Sequence, residues 1–300
     1  MILVTGVSGG LGSLIMDGLS GLADVEVLGG SRSAGGDGAA VRRVDFDDPA
    51  SLPAAFEGVD VLLVVSAGYA EDDVVLARHG AVADAAVRAG VKHLIYTSLA
   101  ASGESMTIAL PHRWSEERFA AGPYTTTVLR NGLYFEVPVS LATAGAATAA
   151  ATGVFAAPFG EGRISVVARE DLADAAVRVA AESDRDLAAG RPSRHAGRIY
   201  ELEGDTAVGG ADIAALLADA LGREVVYRPA SLGETRAGLA TSGLEPYQVG
   251  HAVSLFANVI AGRAEAAGSD LPALLGTAPR PLRSAVAAAV AADAATPAAR

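Results

Sequence analysis

The stretch that most constrains this chain is its opening, Met1 to Gly12, which reads MILVTGVSGGLG. Ile2, Leu3 and Val4 form a short apolar run that predicts a buried strand. Three glycines follow at once in the spacing Gly6-x-x-Gly9-x-x-Gly12, and Leu11, Leu14, Ile15 and Leu19 then recur with a helical period. Strand, glycine turn and helix in that order are what a dinucleotide site requires. Gly6 allows a sharp turn, Gly9 lets the backbone approach a pyrophosphate, and Gly12 lets the helix pack closely. Ser8, Gly9, Gly10 and Leu11 then lie at the helix N-terminus, where free N–H groups and the positive end of the dipole favour phosphate.

Three hundred residues, 51% of them hydrophobic, suit one large α/β domain or a nucleotide-binding core with a smaller substrate lobe. The balance of 23 basic against 35 acidic residues, a net charge of −12, argues against nucleic-acid binding, which needs a basic surface. With no cysteine there is no disulfide frame, thiolate catalysis or zinc–thiolate site. Met1 stands already inside the first strand, which leaves no room for a signal peptide and points to the cytoplasm. Val137 to Gly160 carries no charge, but it is made mostly of Ala, Gly and Thr and is interrupted by Pro138 and Pro158. It reads as a buried helix and a loop rather than a membrane span.

Further strands are expected at 25–30, 41–44, 60–65, 93–96 (closed by Thr97-Ser98) and 125–129, with helices between them and a Gly-rich loop at 34–38. Five successive βα units predict an α/β fold, a Rossmann-type doubly wound parallel sheet. The expected organisation is an NAD(P)-binding core over 1–150 with further core elements at 164–203. A smaller, mostly helical substrate lobe follows over 204–284 with parts of 135–163, and then an Ala-rich tail over 285–300. Asp47 and Asp48 read as capping residues of the helix after the third strand. His79, His93, His195 and His251 show no metal-ligand spacing and are expected at the surface.

The end of the second strand bears on the cofactor. An acidic residue there would bind the ribose 2′-hydroxyl of NAD, whereas an arginine accommodates the 2′-phosphate of NADP. Ser31-Arg32-Ser33 stand there with no carboxylate, so NADPH is expected, with Arg32 as the phosphate partner. Asp45, after the third strand, is expected near the adenine, and Phe46 beside it is expected to bind the cofactor. Ser66, Ala67 and Gly68 lie at the carboxyl end of the fourth strand, where ligands of open α/β sheets sit.

Tyr96-Thr97-Ser98, His112-x-x-x-Glu116, Leu129-Arg130-Asn131-Gly132, Arg169-Glu170-Asp171 and Tyr200-Glu201-Leu202 follow the glycine motif in order. With that set the chain resembles the NmrA-like branch of atypical short-chain dehydrogenases/reductases, from Met1 to about residue 280. Within it the chain looks most like the NAD(P)H:quinone oxidoreductases of the second bacterial type. The resemblance implies that Tyr96, Thr97 and Asn131 approach the cofactor. It also implies that Ser98 stands where the superfamily has a carbonyl-orienting hydroxyl. Tyr134 and Phe135 are candidates for the wall of the substrate pocket.

The chain departs from the wider superfamily at the Tyr-x-x-x-Lys pair, whose places are taken by His112 and Glu116. These two lie one turn apart on one helix face, so Glu116 is expected to hold the His112 ring. Reduction of an ordinary ketone needs a proton delivered to the oxygen, whereas aromatisation drives quinone reduction and the hydroquinone anion is already stable. Loss of Tyr/Lys therefore suits a quinone reductase with His112, Glu116 and Ser98 at the reaction centre. The alternatives are a tailoring reductase for an aromatic polyketide-type metabolite of secondary metabolism, and a non-catalytic NADP(H) sensor that binds a protein partner. A homodimer is compatible with either.

Overall fold

Ile2–Thr5, strand β1, is completely buried and has a parallel neighbour on each side. A computed structural model describes residues 1–33, 41–67, 70–282 and 288–289. Gly68, the Gly-rich loop at 34–38 and the tail expected at 285–300, apart from helical Ala288 and Ala289, lie outside the described residues.

After β1 come α1 (Gly10–Ser20), β2 (Val27–Ser31), β3 (Val41–Arg43), α2 (Leu52–Ala55), β4 (Val61–Val64) and α3 (Asp72–Ala89). Then follow β5 (His93–Leu99), α4 (Ala109–Ala120), β6 (Thr125–Asn131), β7 (Leu133–Tyr134), α5 (Glu136–Thr152), β8 (Val154–Ala157) and β9 (Arg163–Val167). The chain continues through α6 (Arg169–Ala188), β10 (Arg198–Leu202), β11 (Ala207–Gly209), α7 (Gly210–Leu221), β12 (Val226–Pro229) and α8 (Leu232–Ala240). Two more helices, α9 (Pro246–Ile260) and α10 (Leu271–Leu275), complete the described elements.

The main sheet runs β10-β6-β5-β4-β1-β2-β3, and every neighbouring pair in it is parallel. That is the doubly wound order with β10 added at one edge. Side chains alternate across it, as the strand period requires. Ile2, Val4, Val61 and Leu63 pack with α1 and α6 on one face, while Leu3, Leu62, Val64 and Tyr96 pack with α2, α3 and α4 on the other. Burying both faces explains the unbroken apolar runs of these strands. A third apolar cluster joins Ala142, Ala146 and Ala149 of α5, Ile213 and Leu217 of α7, and Phe256 and Val259 of α9.

Several local expectations are corrected. The uncharged stretch 137–160 is a helix followed by strand β8, which pairs with β12, rather than a helix and a loop. Its small residues let α5 bury one face only, at Pro138, Ala142, Ala146 and Ala149. Among the described residues no helix is long and apolar enough to cross a membrane. Helix α4 begins at Ala109, and Pro111 is accommodated because the N–H groups of a first turn need no intrahelical partner. Asp47 and Asp48 do not cap α2, whose N-cap position is Ser51; each is drawn to an arginine, Arg78 and Arg43.

Candidate functional site

The strand order reverses between β1 and β4, so their carboxyl ends open a crevice. Gly6 ends β1 with a φ of +67°, a left-handed conformation that side chains with a Cβ resist. Gly12 sits so close to this turn that a Cβ on it would overlap the Gly6 carbonyl. The turn and the start of α1 are thus pressed together, and the unpaired N–H groups of the helix face the crevice.

The crevice is a cleft of about 340 Å³, lined by Gly6, Ser8, Gly9, Ser31, Arg32, Val44, Phe46, Asp47, Val65, Ser66, Ala67 and Arg78. Sequence reasoning placed seven of these twelve there and missed Ser31, Val44, Asp47, Val65 and Arg78. Arg78 of α3 grips Asp47 through two parallel hydrogen bonds of 2.7 and 2.8 Å. These bonds hold the Asp47 carboxyl below its ordinary value, against a smaller opposing effect of burial. Two arginines and one carboxylate leave this end of the cleft with a net positive charge. Asp45, expected near the adenine, instead binds Arg43 and accepts from the Asp47 N–H. Leu11 is part of the core beneath the helix N-terminus rather than of the cleft wall.

The floor of the cleft is tied from behind. The N–H of Ser66 donates to Thr97 Oγ1 at 3.0 Å, and the N–H of Ala67 donates to His79 Nε2 at 3.2 Å. His79 Nδ1 lies 2.6 Å from Ser115 Oγ, whose own proton goes to the Pro111 carbonyl. Ser115 therefore accepts from Nδ1–H, and the ring is locked as the neutral tautomer with Nε2 as acceptor. Burial lowers its pKa to about 3. His79, His93 and His195 are buried, not surface residues: hydroxyls more than 30 residues away satisfy the first two rings, and Tyr200 and Glu182 satisfy the third.

At the far end of the sheet Asn131 is buried, and its Oδ1 has no hydrogen-bond partner. An amide oxygen left so costs about 1–3 kcal/mol unless something donates to it. Behind it, Ser98 Oγ donates to Glu116 at 2.5 Å, Arg113 Nη1 to Glu116 at 2.7 Å, and Arg130 to both Glu116 oxygens at 3.0 and 2.7 Å. Arg130 continues to Glu201 at 3.0 Å. Burial raises the Glu116 carboxyl, but the bonds from Arg130 and Ser98 outweigh it and hold the group ionised below its usual value.

His112 is not held by Glu116, as the helical spacing led us to expect. Its Nδ1 lies 2.9 Å from the hydroxyl of Tyr96, and burial, helped by the charge of Arg113, lowers its pKa to about 4. The opposing pull of Glu116 is weaker. Tyr96 is itself fully buried, so it meets His112 rather than an open cleft. Phe135 packs in the third apolar cluster, and Tyr134 lies under Arg169, whose guanidinium is 5.2 Å from the ring centre. A small pocket lined by Ser66, Asp72, Pro111, His112 and His251 adjoins the cleft through Ser66, which both share.

The sequence model of the NmrA-like family matches residues 1–237. The chain belongs to the NmrA-like family. Quinone oxidoreductase 2 of Escherichia coli (strain K12) is 33% identical over 252 residues, which cover 81% of this chain and 82% of that protein. The crystal structure of the NADPH-dependent quinone oxidoreductase from Escherichia coli complexed with NADPH matches with a TM-score of 0.84 at 29% identity, covering 96% of this chain and 99% of that one. Triphenylmethane reductase of Citrobacter sp. complexed with NADP(H) matches with a TM-score of 0.83 at 27% identity and the same coverage.

In this NmrA-like chain the charged residues that sequence reasoning missed share one property: their partners are far away in the chain. Arg78 is 31 residues from Asp47, and Arg130 is 71 from Glu201. Arg169 marked the start of a helix, but a Cβ on Gly10 would fall on its guanidinium, which also pairs with Glu136 at 2.6 Å. It therefore stands beside the glycine turn. No local pattern signals such a neighbour.

Proposed function

We propose that this chain is an NADPH-dependent reductase that delivers hydride to a quinone or quinone-like small molecule. The observation that carries the reading is the fold shared over 96% of the chain with a quinone oxidoreductase complexed with NADPH. The residues present fit that cofactor. The glycine turn is a cradle without side chains, the net positive end of the cleft suits a 2′-phosphate, and Asn131 Oδ1 is a buried acceptor awaiting a donor.

On this reading the N–H groups of Ser8, Gly10 and Gly12 hold the pyrophosphate, while the Gly9 N–H closes the turn on the Gly6 carbonyl. Arg32 and Arg78 hold the 2′-phosphate, Phe46 covers the adenine, and Asn131 accepts from the carboxamide N–H₂. Ser66 and Ala67, fixed by Thr97 and His79, back the nicotinamide ribose. When bound, the reduced nicotinamide supplies the hydride. The lobe over 204–284, with parts of 135–163, closes the substrate side.

His112 occupies the position of the superfamily's tyrosine and directs Nε2 at a substrate oxygen, steadied through Nδ1 by Tyr96. As a neutral imidazole it offers a hydrogen bond rather than a charge. Glu116 and Ser98 act behind it, holding Arg113 and Arg130 and so the ends of β5 and β6. A quinone needs orientation and exclusion of water more than a strong acid, and this site supplies those. The relatives named as reductases cover four fifths of the chain, so the sensor and the polyketide-tailoring enzyme are not favoured. We read the protein as a cytoplasmic enzyme acting on small molecules without a nucleic-acid partner, and its acidic balance supports the last point.

The test is steady-state oxidation of NADPH, with NADH in parallel, against benzoquinones and naphthoquinones. Saturable turnover with NADPH preferred is expected. Tight NADPH binding with no turnover above the enzyme-free rate would overturn the reading.

A further inference from the structure

Gly10 stands outside the Gly6-x-x-Gly9-x-x-Gly12 spacing, and as the first residue of α1 its backbone is that of an ordinary helix. What calls for a glycine there is room. A Cβ on Gly6 would meet Val65, and one on Gly9 or Gly12 the turn's own backbone, but one on Gly10 would overlap Arg169 Nη1. Since a carbon–carbon bond adds only about 1.5 Å, Nη1 lies within about 4 Å of the Gly10 Cα. Helical Cα–Cβ bonds tilt toward the N-terminus, so the guanidinium lies over that end of α1.

Two helices set this geometry. A Cβ on Gly18, eight residues after Gly10, would overlap Val177, eight residues after Arg169. Equal steps mean that α1 and α6 run parallel and in register, and Leu11, Ile15, Leu172 and Ala176 join them in one apolar cluster. Their N-termini therefore stand side by side. Each dipole brings about half a unit of positive charge to the same place, and the guanidinium adds a full one. Helix α6 answers its own end with Glu170 and Asp171, but α1 has no acidic residue in its first turn. Arg169 pairs with Glu136 at 2.6 Å, a half-exposed carboxylate and so a weak hold. Its Nε is buried with no acceptor, and the Tyr134 ring lies 5.2 Å from the guanidinium carbon.

We propose that Arg169 is a coenzyme-binding residue that donates to the pyrophosphate of NADPH, and that Gly10 is the residue that makes room for it. The proposal rests on the NADPH reading and adds to it a cation that the glycine motif does not contain. The N–H groups of the first turn of α1 meet a phosphate from one side and the guanidinium meets it from another. Cation–π contact with Tyr134 already holds the guanidinium in place, so binding costs it little freedom. The phosphate displaces nothing stronger than the wet pair with Glu136. Because the pyrophosphate is common to NADPH and NADH, Arg169 sets the affinity for both, whereas Arg32 decides between them.

Calorimetric titration of the full chain tests this without turnover. Arg169→Ala should weaken NADPH and NADH by the same factor, about tenfold. Adenosine 2′-monophosphate lacks the pyrophosphate, and its affinity should stay within about twofold, which also shows that the cleft is still folded. Unchanged NADPH affinity overturns the proposal. So does an equal loss of the monophosphate, which would make Arg169 a structural prop. Gly10→Ala keeps the arginine but pushes it aside, and should weaken NADPH about fivefold; in the Arg169→Ala background the same change should cost less than about twofold, since nothing is left to displace. An equal cost in both backgrounds would put the defect in the turn itself and overturn the pairing. A chain that binds NADPH in the expected pattern yet reduces no quinone sinks the reductase reading and leaves Arg169 on the pyrophosphate.

Discussion

Arg32 carries no hydrogen bond to another described side chain, whereas Arg78 beside it is committed to Asp47 through both carboxylate oxygens. The uncommitted cation is the one a phosphate can recruit without breaking anything. Arg32→Ala should therefore raise KM for NADPH by about 10- to 100-fold and KM for NADH by less than about threefold. Equal losses for both coenzymes would make Arg32 a solvated charge only. Glu116 is a residue of the opposite kind. It takes hydrogen bonds from Ser98, Arg113 and Arg130 while nearly buried, so Glu116→Gln removes the charge that both guanidinium groups share and leaves Arg113 to Glu104 and Arg130 to Glu201. That substitution should cost roughly 3 kcal/mol of stability at neutral pH in urea unfolding and leave NADPH binding within about threefold. A loss below about 1 kcal/mol would show the cluster to be solvated.

Among the elements, those whose information is local were legible in advance. The central parallel strands β1 and β4 announced themselves as apolar runs because both faces are covered, and Gly90, at φ +71°, is the left-handed stop of α3. Strands β7, β8 and β11, of two to four residues, were not legible as such, since nothing in so short a segment separates a strand from a loop. In the site the same division holds. The glycine turn and Arg32 could be found from spacing, because the turn needs those residues at those positions. The histidines could not. Their burial is decided by hydroxyls brought alongside by folding, Ser115 for His79 and Thr125 with Thr127 for His93, 32 to 36 residues away. The partner of His112 was likewise misjudged: helix geometry pointed to Glu116, but β5 delivers the Tyr96 hydroxyl first.

At the scale of the molecule these buried rings add up. His79, His93 and His112 have pKa values lowered to about 3, 4 and 4, chiefly by burial, from an ordinary value near 6.5. Between about pH 6.5 and pH 4 the unfolded chain binds protons that the native chain refuses. Stability is then full above the unfolded value and falls as the pH drops through this window. Each ring contributes at most about 1.4 kcal/mol per pH unit, so three should remove roughly 4 kcal/mol between pH 7 and pH 5.5. That is a large share of the roughly 5–15 kcal/mol typical of a folded domain. Urea unfolding at the two pH values measures it, and a change below about 1 kcal/mol would mean that these rings charge in place. The Glu116 carboxyl, held below its ordinary value, gives way only at lower pH.

Helix α9 begins at Pro246, beyond residue 237 where the match to the family ends. The turn, the arginines and His112 all lie before that boundary, and His251 lies after it. Coenzyme handling and one wall of the pocket are thus written in separable stretches of the gene, and the second can diverge while the first is conserved. Grafting a relative's segment in place of residues 238–282 should carry that relative's preference among quinones into this chain. Its preference for NADPH over NADH should stay unchanged in paired kinetics of parent and chimera. New specificity would then arise by exchanging that one short stretch near the end of the chain, without touching the site that holds the reductant.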